Sequence, residues 1–140
     1  MIHKIVQEKE NYQFIFGPVG RLLVDKDVQK ILGIAVNAED GDVWFLSSDM
    51  SEGITTGFAV VHNLKNRNAS HIKYLYAESS KEKGKLLKAI IKHLKGEKKS
   101  SAHTNDRAKE TIWADFGFSR SGSNGDSFVK WEIELEEKKQ

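Results

Sequence analysis

The chain has 140 residues, of which 39% are hydrophobic and 30% are charged, a balance that predicts one globular domain over residues 1–140. It contains no cysteine, which excludes disulfides, thiolate zinc sites and cysteine nucleophiles. Its 22 basic and 20 acidic residues give a net charge of +2, which is too nearly balanced to indicate a nucleic-acid or membrane partner but does not exclude nucleic acid. No apolar run is typical of a signal peptide or a membrane span, so we expect a cytoplasmic protein.

The first third of the chain predicts one strand and two helices. Residues 2–6 predict a first short strand, and residues 10–23 predict a helix that a turn interrupts around Gly17, Pro18 and Gly20. Asp25 is a suitable N-cap for a second helix, which Gly33 should weaken. The buried face of that helix has helical spacing and comprises Val28, Ile31, Leu32 and Ala35.

Three strands follow in the middle of the chain. Residues 43–48 and 54–62 are apolar, β-branched and aromatic runs on either side of a polar turn, which predicts an antiparallel hairpin. Residues 69–78 predict the next strand. Simple alternation places Ile72, Tyr74 and Tyr76 on one face of it and His71, Lys73 and Leu75 on the other.

The clearest helix covers residues 81–95 and ends near Gly96, a residue typical of helix C-termini. Its apolar stripe comprises Leu86, Leu87, Ile90, Ile91 and Leu94. Its opposite side carries Lys85, Lys88, Lys92 and Lys95. The most economical interpretation of residues 81–95 is therefore a solvated lysine face above a core stripe.

The last part of the chain predicts a strand, a helix and a hairpin. The strand covers residues 100–104, and the helix begins at Asn105 or Asp106, both good caps, and ends at Gly117. The helix should turn Ala108, Ile112 and Phe116 inward. Residues 118–121 and 127–135 flank a turn rich in glycine and polar residues, which predicts the hairpin.

This order of elements resembles the GCN5-related N-acetyltransferase (GNAT) family over nearly the whole length. The string ITTGFAVV is similar to the third family strand with its Gly-Phe start, and HIKYLYAE is similar to the fourth. Asn105, Ala108 and the pair Gly117-Phe118 resemble the Asn-x-x-Ala…Gly-Phe signature of the family. The resemblance implies an α/β (α+β) fold class, with a mixed, mostly antiparallel central sheet of 6 to 7 strands and 3 to 4 flanking helices.

The resemblance also implies acetyl-CoA as cofactor. In the family the fourth and fifth strands splay apart around the pantetheine arm, a place that falls here on Tyr76 and Ala77. The pyrophosphate rests at the start of the following helix, a place that falls on Ser80, Lys81, Lys83, Gly84 and Lys85. The residues that could support the transfer chemistry are Glu78, His103 and Asn105.

Two departures from the family pattern favour a second interpretation. The family phosphate loop has Gln or Arg, two residues, Gly, one residue and then Gly or Ala, and only its last element is present here, as Gly84. The tyrosine that often protonates the leaving thiolate falls on Trp113, whose indole can donate a hydrogen bond but is not a useful acid. The alternative to an enzyme is a catalytically inactive GNAT-fold interaction module, such as a virion-associated phage protein.

The remaining candidates are expected to be structural. His62 and His71 lack a carboxylate at ligand spacing, so we propose no metal site. Trp44, Trp113 and Trp131 are expected to fill the core. The hypothesis is therefore an N-acetyltransferase that acts on a primary amine of unknown identity, with no membrane partner and with a homodimer as an open alternative.

Overall fold

The computed structural model describes residues 2–33, 36–48, 54–64, 68–107, 112–124 and 128–135. Within these ranges seven strands form one sheet. They are β1 (Ile2–Val6), β2 (Val43–Ser48), β3 (Thr55–Leu64), β4 (Ala69–Ala77), β5 (Ser101–Asp106), β6 (Ser119–Asn124) and β7 (Phe128–Glu134). The helices are α1 (Tyr12–Leu23), α2 (Lys26–Leu32), α3 (Ser80–Gly96) and α4 (Ile112–Asp115), and a 3-10 turn (Lys9–Asn11) precedes α1.

The strands lie in the order β1-β2-β3-β4-β5-β7-β6. Of the strands described, β4 and β5 alone pair in parallel, because α3 crosses over between them, and each of the other neighbouring pairs is antiparallel. The predicted mixed, mostly antiparallel sheet with flanking helices is confirmed. The predicted β2–β3 hairpin and the predicted C-terminal hairpin are both present.

The sheet separates two hydrophobic clusters. The cluster on the α3 and α4 side includes Phe45, Ile72, Leu87, Ile90 and Trp113. The cluster on the α1 and α2 side includes Ile15, Trp44, Phe58, Tyr74 and Tyr76. Trp44 and Trp113 are buried as predicted, and Trp131 packs partly buried against the first cluster.

The prediction of a turn inside the first helix was wrong. Helix α1 runs without a break through Pro18, and the 3-10 turn lies before it. Proline inside a helix costs about 3 kcal/mol relative to alanine. That cost is offset because Ile15, Val19 and Leu22, spaced along one helical face, are all at most 1% exposed.

The ends of α2 and α3 also differ from expectation. Asp25 caps α2 as predicted, since its carboxylate accepts the N–H of Asp27 at 2.8 Å. Gly33 does not weaken α2 from within but terminates it, with a left-handed φ of 74° that favours glycine. Gly96 is the last residue of α3, so the cap is Glu97, and Lys98 takes the positive φ of 57°.

The predicted faces of β4 were wrong because the strand contains a β-bulge. The register shifts between Val60 and Val61 of β3, which leaves Lys73 of β4 as an extra residue. Ile72 therefore faces α3, whereas Tyr74 and Tyr76 face α1 and α2. Simple alternation had placed all three on one side.

The prediction that a helix begins at Asn105 or Asp106 was also wrong. Both residues belong to β5 and pair with Lys130 and Val129 of β7. Pairing with a long neighbouring strand satisfies their backbone groups, so their capping preference does not decide the structure. Helix α4 is described from Ile112, and Ala108 lies outside the described residues. Gly117 ends this segment with a φ of 91°, as expected of a C-terminal glycine.

Among the described residues, no helix combines the length and apolar character that crossing a bilayer requires.

Candidate active site

A wedge opens between β4 and β5. The two strands pair over four residues only, from Ala69 with Ser101 to Ile72 with Thr104. The Thr104 hydroxyl donates to the Ile72 carbonyl at 2.8 Å and marks the last contact of the pair. Beyond it β4 continues for five residues against β3, while β5 pairs with β7. One side of the end of β4 is therefore left without a strand partner within the described residues.

Leu75 and Ala77 direct their peptide groups into this wedge. The N–H of Glu78 donates to the carbonyl of Thr56 at 3.1 Å, so the peptide groups of Glu78 face β3. In an antiparallel pair these directions alternate, so the N–H and C=O groups of Leu75 and Ala77 point away from β3. The sequence prediction named Tyr76 and Ala77. The alternation of peptide directions instead favours Leu75 and Ala77. Sequence spacing does not reveal this, because the β-bulge in β4 sets the register.

Gly57 allows β3 to approach this end of β4. A Cβ atom at Gly57 would lie 2.8 Å from the carbonyl oxygen of Tyr76 and 2.9 Å from Cβ of Ala77. Contacts this short require the backbone to move, so only glycine fits without a shift. The Gly-Phe start of β3 thus has a steric role, which is to hold the wedge-facing end of β4 in place.

A cleft lies between α3 and α4, and its volume is about 490 Å³. Four of the residues predicted for phosphate binding line it: Ser80, Lys81, Gly84 and Lys85. Lys88, Ile112, Asp115 and Phe116 complete the lining. A Cβ atom at Gly84 would lie 3.1 Å from the ring of Phe116, so a larger residue there would fill the cleft. Lys83, also predicted, does not line it.

The first turn of α3 is anchored to the sheet. The hydroxyl of Ser79 accepts the N–H of Glu82 at 3.2 Å and caps the helix. The carboxylate of Glu82 turns inward and accepts hydroxyls from Ser47 at 3.1 Å and Thr56 at 2.5 Å. The first-turn N–H of Ser80 has no intrahelical acceptor, as at the start of any α-helix. The Ser-x-x-Glu spacing is a capping signal that was present in the sequence.

The three predicted catalytic residues do not converge. Glu78 follows β4 and lies 3.5 Å from Arg21 in an exposed ion pair. Asn105 lies one residue past the last β4–β5 pair, whereas Glu78 lies six residues past it. At about 3.3 Å per strand residue, Glu78 is about 20 Å along β4 from Ile72. His103 lies on the other side of that pair, opposite His71.

His71 and His103 stack across the paired part of the sheet. Their ring centroids are 4.6 Å apart and the rings are inclined by 37°. Burial, followed by the charge of His103, lowers the pKa of His71 to about 4. Nδ1 of His71 is buried without a hydrogen-bond partner among the described residues. His71 is therefore uncharged at neutral pH, and the stacked pair lies on the paired side of the last β4–β5 contact, below the wedge.

The carboxylate of Asp42 organises a polar cluster on the α1 and α2 face. It is fully buried and contacts His62 at 2.7 Å and Lys73 at 2.9 Å. Glu39 lies 3.4 Å from His62 and is largely exposed. Sequence spacing gave no sign of these contacts, because the acids come from the loop before β2, some twenty residues away in the sequence.

Three of these groups, on Glu39, Asp42 and His62, lie within 4.8 Å of one another, as metal ligands do. However, the Lys73 ammonium lies 2.9 Å from Asp42 and 3.9 Å from Glu39. A lysine cation therefore already sits against the carboxylates that would hold a metal. We interpret this group as an ion-pair network.

Trp113 of α4 is buried. Its indole N–H donates to the Asp106 carboxylate at 3.0 Å, and its ring packs edge-on against Phe118 at 5.2 Å. It thus links α4 to the end of β5. An indole N–H can donate a hydrogen bond in this way but is not a useful acid.

The chain was compared with protein families, curated proteins and solved structures. No protein-family profile matches the chain, and no curated protein matches its sequence. Solved structures do match it. Tetrahymena GCN5 aligns with a TM-score of 0.68 and 10% identity, over 97% of this chain and 96% of that one. A GNAT-family acetyltransferase of Staphylococcus aureus Mu50 aligns with a TM-score of 0.65 and 13% identity, over 97% and 100%.

A third match is the N-acetylglutamate synthase of Neisseria gonorrhoeae, solved with coenzyme A and N-acetyl-glutamate. Its TM-score is 0.61 at 13% identity, over 98% of this chain and 36% of that one. The chain therefore has the fold of the GCN5-related N-acetyltransferases.

Proposed function

We propose that this protein is an acyl-CoA-dependent N-acyltransferase that transfers an acetyl group from acetyl-CoA to a primary amine. The observation that carries the proposal is the wedge beside β4. The peptide groups of Leu75 and Ala77 that face it have no strand partner in the described part of the chain, and a lysine-lined cleft lies at the start of the helix that follows β4. The fold shared with acetyltransferases, one of them solved with coenzyme A, also supports it.

The residues around the cleft suit the anionic half of coenzyme A. Lys81, Lys85 and Lys88 supply three cations on one side of it. The first-turn amide of Ser80 adds a donor at the positive end of the helix dipole. Gly84 leaves room beneath Phe116. Asp115 is the acidic residue in the lining, so the cleft carries a net positive charge.

The chain's own residues can orient the reactants. When bound, acetyl-CoA would supply a thioester in which a C–N bond to the amine replaces the C–S bond, so that CoA leaves as the thiolate and takes up a proton. Leu75 and Ala77 would hold the extended arm by strand-like hydrogen bonds. Glu78, held by Arg21 at the mouth of the wedge, is our candidate for the group that takes the proton released by the amine.

One observation favours an inactive interaction module as the second candidate. Glu78, His103 and Asn105 lie at different levels of the sheet, and Trp113 is committed to Asp106. A protein with this arrangement could retain the cofactor cleft without rapid chemistry. The enzyme and the inactive module share the same fold and differ in whether they turn over acetyl-CoA.

The test is a calorimetric titration with acetyl-CoA and with CoA, together with an assay for CoA release in the presence of amines. We expect saturable binding that raises the melting temperature. Gly84→Leu should abolish it, since the new side chain fills the cleft. The matched control is Gly96→Leu on the same helix, because a Cβ atom there meets nothing within 4 Å.

Two outcomes contradict the enzyme. Titrations of the wild-type chain that show no heat of binding would refute both the proposed cofactor and the proposed activity. Binding that Gly84→Leu abolishes, without CoA release for a panel of amines, would instead favour the inactive module.

A further inference from the structure

Five lysines form a straight row on the outer face of α3. We call this row the lysine stripe, and its members are Lys81, Lys85, Lys88, Lys92 and Lys95. Their spacing alternates between four and three residues, which keeps them on one face of an α-helix. All five side chains are exposed. At 1.5 Å per residue the stripe is about 21 Å long.

The charge of the stripe is not neutralised locally. No ion pair to any of its five members is present among the described residues. Glu82, the acid within α3, turns away to Ser47 and Thr56. Since the whole chain carries +2, removing these five charges leaves the rest of the chain at −3. The net positive charge of the protein therefore depends on this face.

Neighbouring cations extend this surface, while two acids lie at its ends. Lys4 of β1 lies 3.3 Å from His93, beside the C-terminal half of α3. A groove of about 440 Å³ runs there between β1 and α3, and Lys92 and Glu97 both line it. Asp115 lies at the other end, in the cleft with α4. Cations outnumber acids along the full length.

We propose that the lysine stripe binds the phosphate backbone of double-stranded nucleic acid, independently of base sequence. Duplex DNA carries phosphates every 3.4 Å along each strand, so a stripe of about 21 Å spans roughly six base pairs. Lysines are flexible point charges that suit phosphates. The stripe has no arginine or asparagine of the kind that reads base edges.

Single-stranded nucleic acid, membranes and protein partners fit this face less well than a duplex does. Single strands are bound by aromatic side chains on which bases stack, and the stripe has none. Insertion into a membrane interface requires exposed apolar side chains, and the exposed large hydrophobic residues of the described chain all lie outside α3. A stable protein partner would require an apolar anchor here, which is missing for the same reason.

The stripe is separable from the proposed cofactor cleft. Lys81, Lys85 and Lys88 line that cleft, whereas Lys92 and Lys95 lie beyond it. Duplex binding and cofactor binding can therefore fail independently, and the inference does not rest on acetyl transfer.

The experiment is fluorescence anisotropy with two 20-base-pair DNA duplexes of unrelated sequence, over a series of salt concentrations. We expect equal affinities for the two duplexes. The logarithm of the binding constant should fall linearly with the logarithm of salt concentration, with a slope of about −4 to −5 if all five lysines contact phosphates.

Matched triple variants test the assignment. Lys88→Gln, Lys92→Gln and Lys95→Gln together should reduce the magnitude of that slope by about 3. The control carries Lys9→Gln, Lys26→Gln and Lys30→Gln, exposed lysines before and within the α1–α2 layer, and should leave the slope unchanged. The double variant Lys92→Gln with Lys95→Gln should weaken duplex binding and keep any affinity for CoA.

Several results would overturn the inference. Absence of binding at 50 mM salt would do so, as would equal losses in the two triple variants. Tighter binding to a single strand of the same length, or to phosphatidylserine vesicles in place of the duplex, would assign the stripe to another partner.

Discussion

The hydroxyl of Thr104 donates to the carbonyl of Ile72 at 2.8 Å, at the last position where β4 and β5 pair. Both residues are buried, and beyond them the strands follow different neighbours. This bond thus marks the base of the wedge, which is the feature that connects the fold to the proposed chemistry.

Thr104→Val removes this donor with little change of shape. We expect the free energy of unfolding to fall by about 1–2 kcal/mol, because a buried acceptor loses its side-chain partner. Urea denaturation measures the change. Thr56→Val is a useful comparison, since it removes a hydroxyl from the Glu82 carboxylate instead. An unchanged midpoint for Thr104→Val would mean that the bond does not hold the base of the wedge closed.

Gly57→Ala tests the close approach of β3 to β4. The added methyl group would lie 2.8 Å from the Tyr76 carbonyl oxygen, so the end of β4 must shift. We expect a loss of about 1–3 kcal/mol in stability, together with weaker CoA binding by calorimetry. In Gly20→Ala, on α1, the methyl group meets nothing within 4 Å, and stability should rise by up to about 1 kcal/mol. Equal effects of the two substitutions would refute the steric role of Gly57.

Asp42→Ala tests the buried ion-pair network. The substitution leaves Lys73 and His62 without their buried partner, so we expect a loss of about 3–5 kcal/mol in the free energy of unfolding. Glu39→Ala removes an exposed member at longer distances and should cost less than about 1 kcal/mol. Guanidinium denaturation of both variants provides the measurement. Similar small losses in the two would show that Asp42 is not the centre of the network.

The stability of the protein should fall in mild acid because of His71. Its pKa is about 4 in the folded state, below the value near 6.5 of the unfolded chain. The unfolded state therefore binds more protons between these values, and stability decreases as the pH falls from 6.5 towards 4. Relative to neutral pH, the expected loss at pH 5.0 is about 2 kcal/mol.

The variant His71→Asn should reduce this dependence on pH. His93, whose burial also lowers its pKa, contributes in the same direction, so His93→Gln serves as a second variant. Urea denaturation at pH 7.5 and 5.0 gives the comparison. A pH dependence in His71→Asn as steep as in the wild type would refute the assignment to this residue.

The succession of elements followed from the sequence alone. The apolar periodicity of α3, the continuous apolar run of β2 and the partial alternation of β7 are local patterns, and these three elements formed where their own residues favour them. Four of the residues predicted for cofactor binding share one cleft for the same reason, since Ser80, Lys81, Gly84 and Lys85 occupy adjacent positions at one helix end.

Tertiary structure decided whatever depends on a neighbouring strand. Asn105 and Asp106 are strand residues because β7 pairs with them, and the bulge at Lys73 turns Ile72 away from Tyr74. The separation of Glu78 from His103 likewise follows from where β4 and β5 part. Sequence spacing reports only the preferences of one segment, whereas register and strand pairing are set by the backbone and side chains of distant segments.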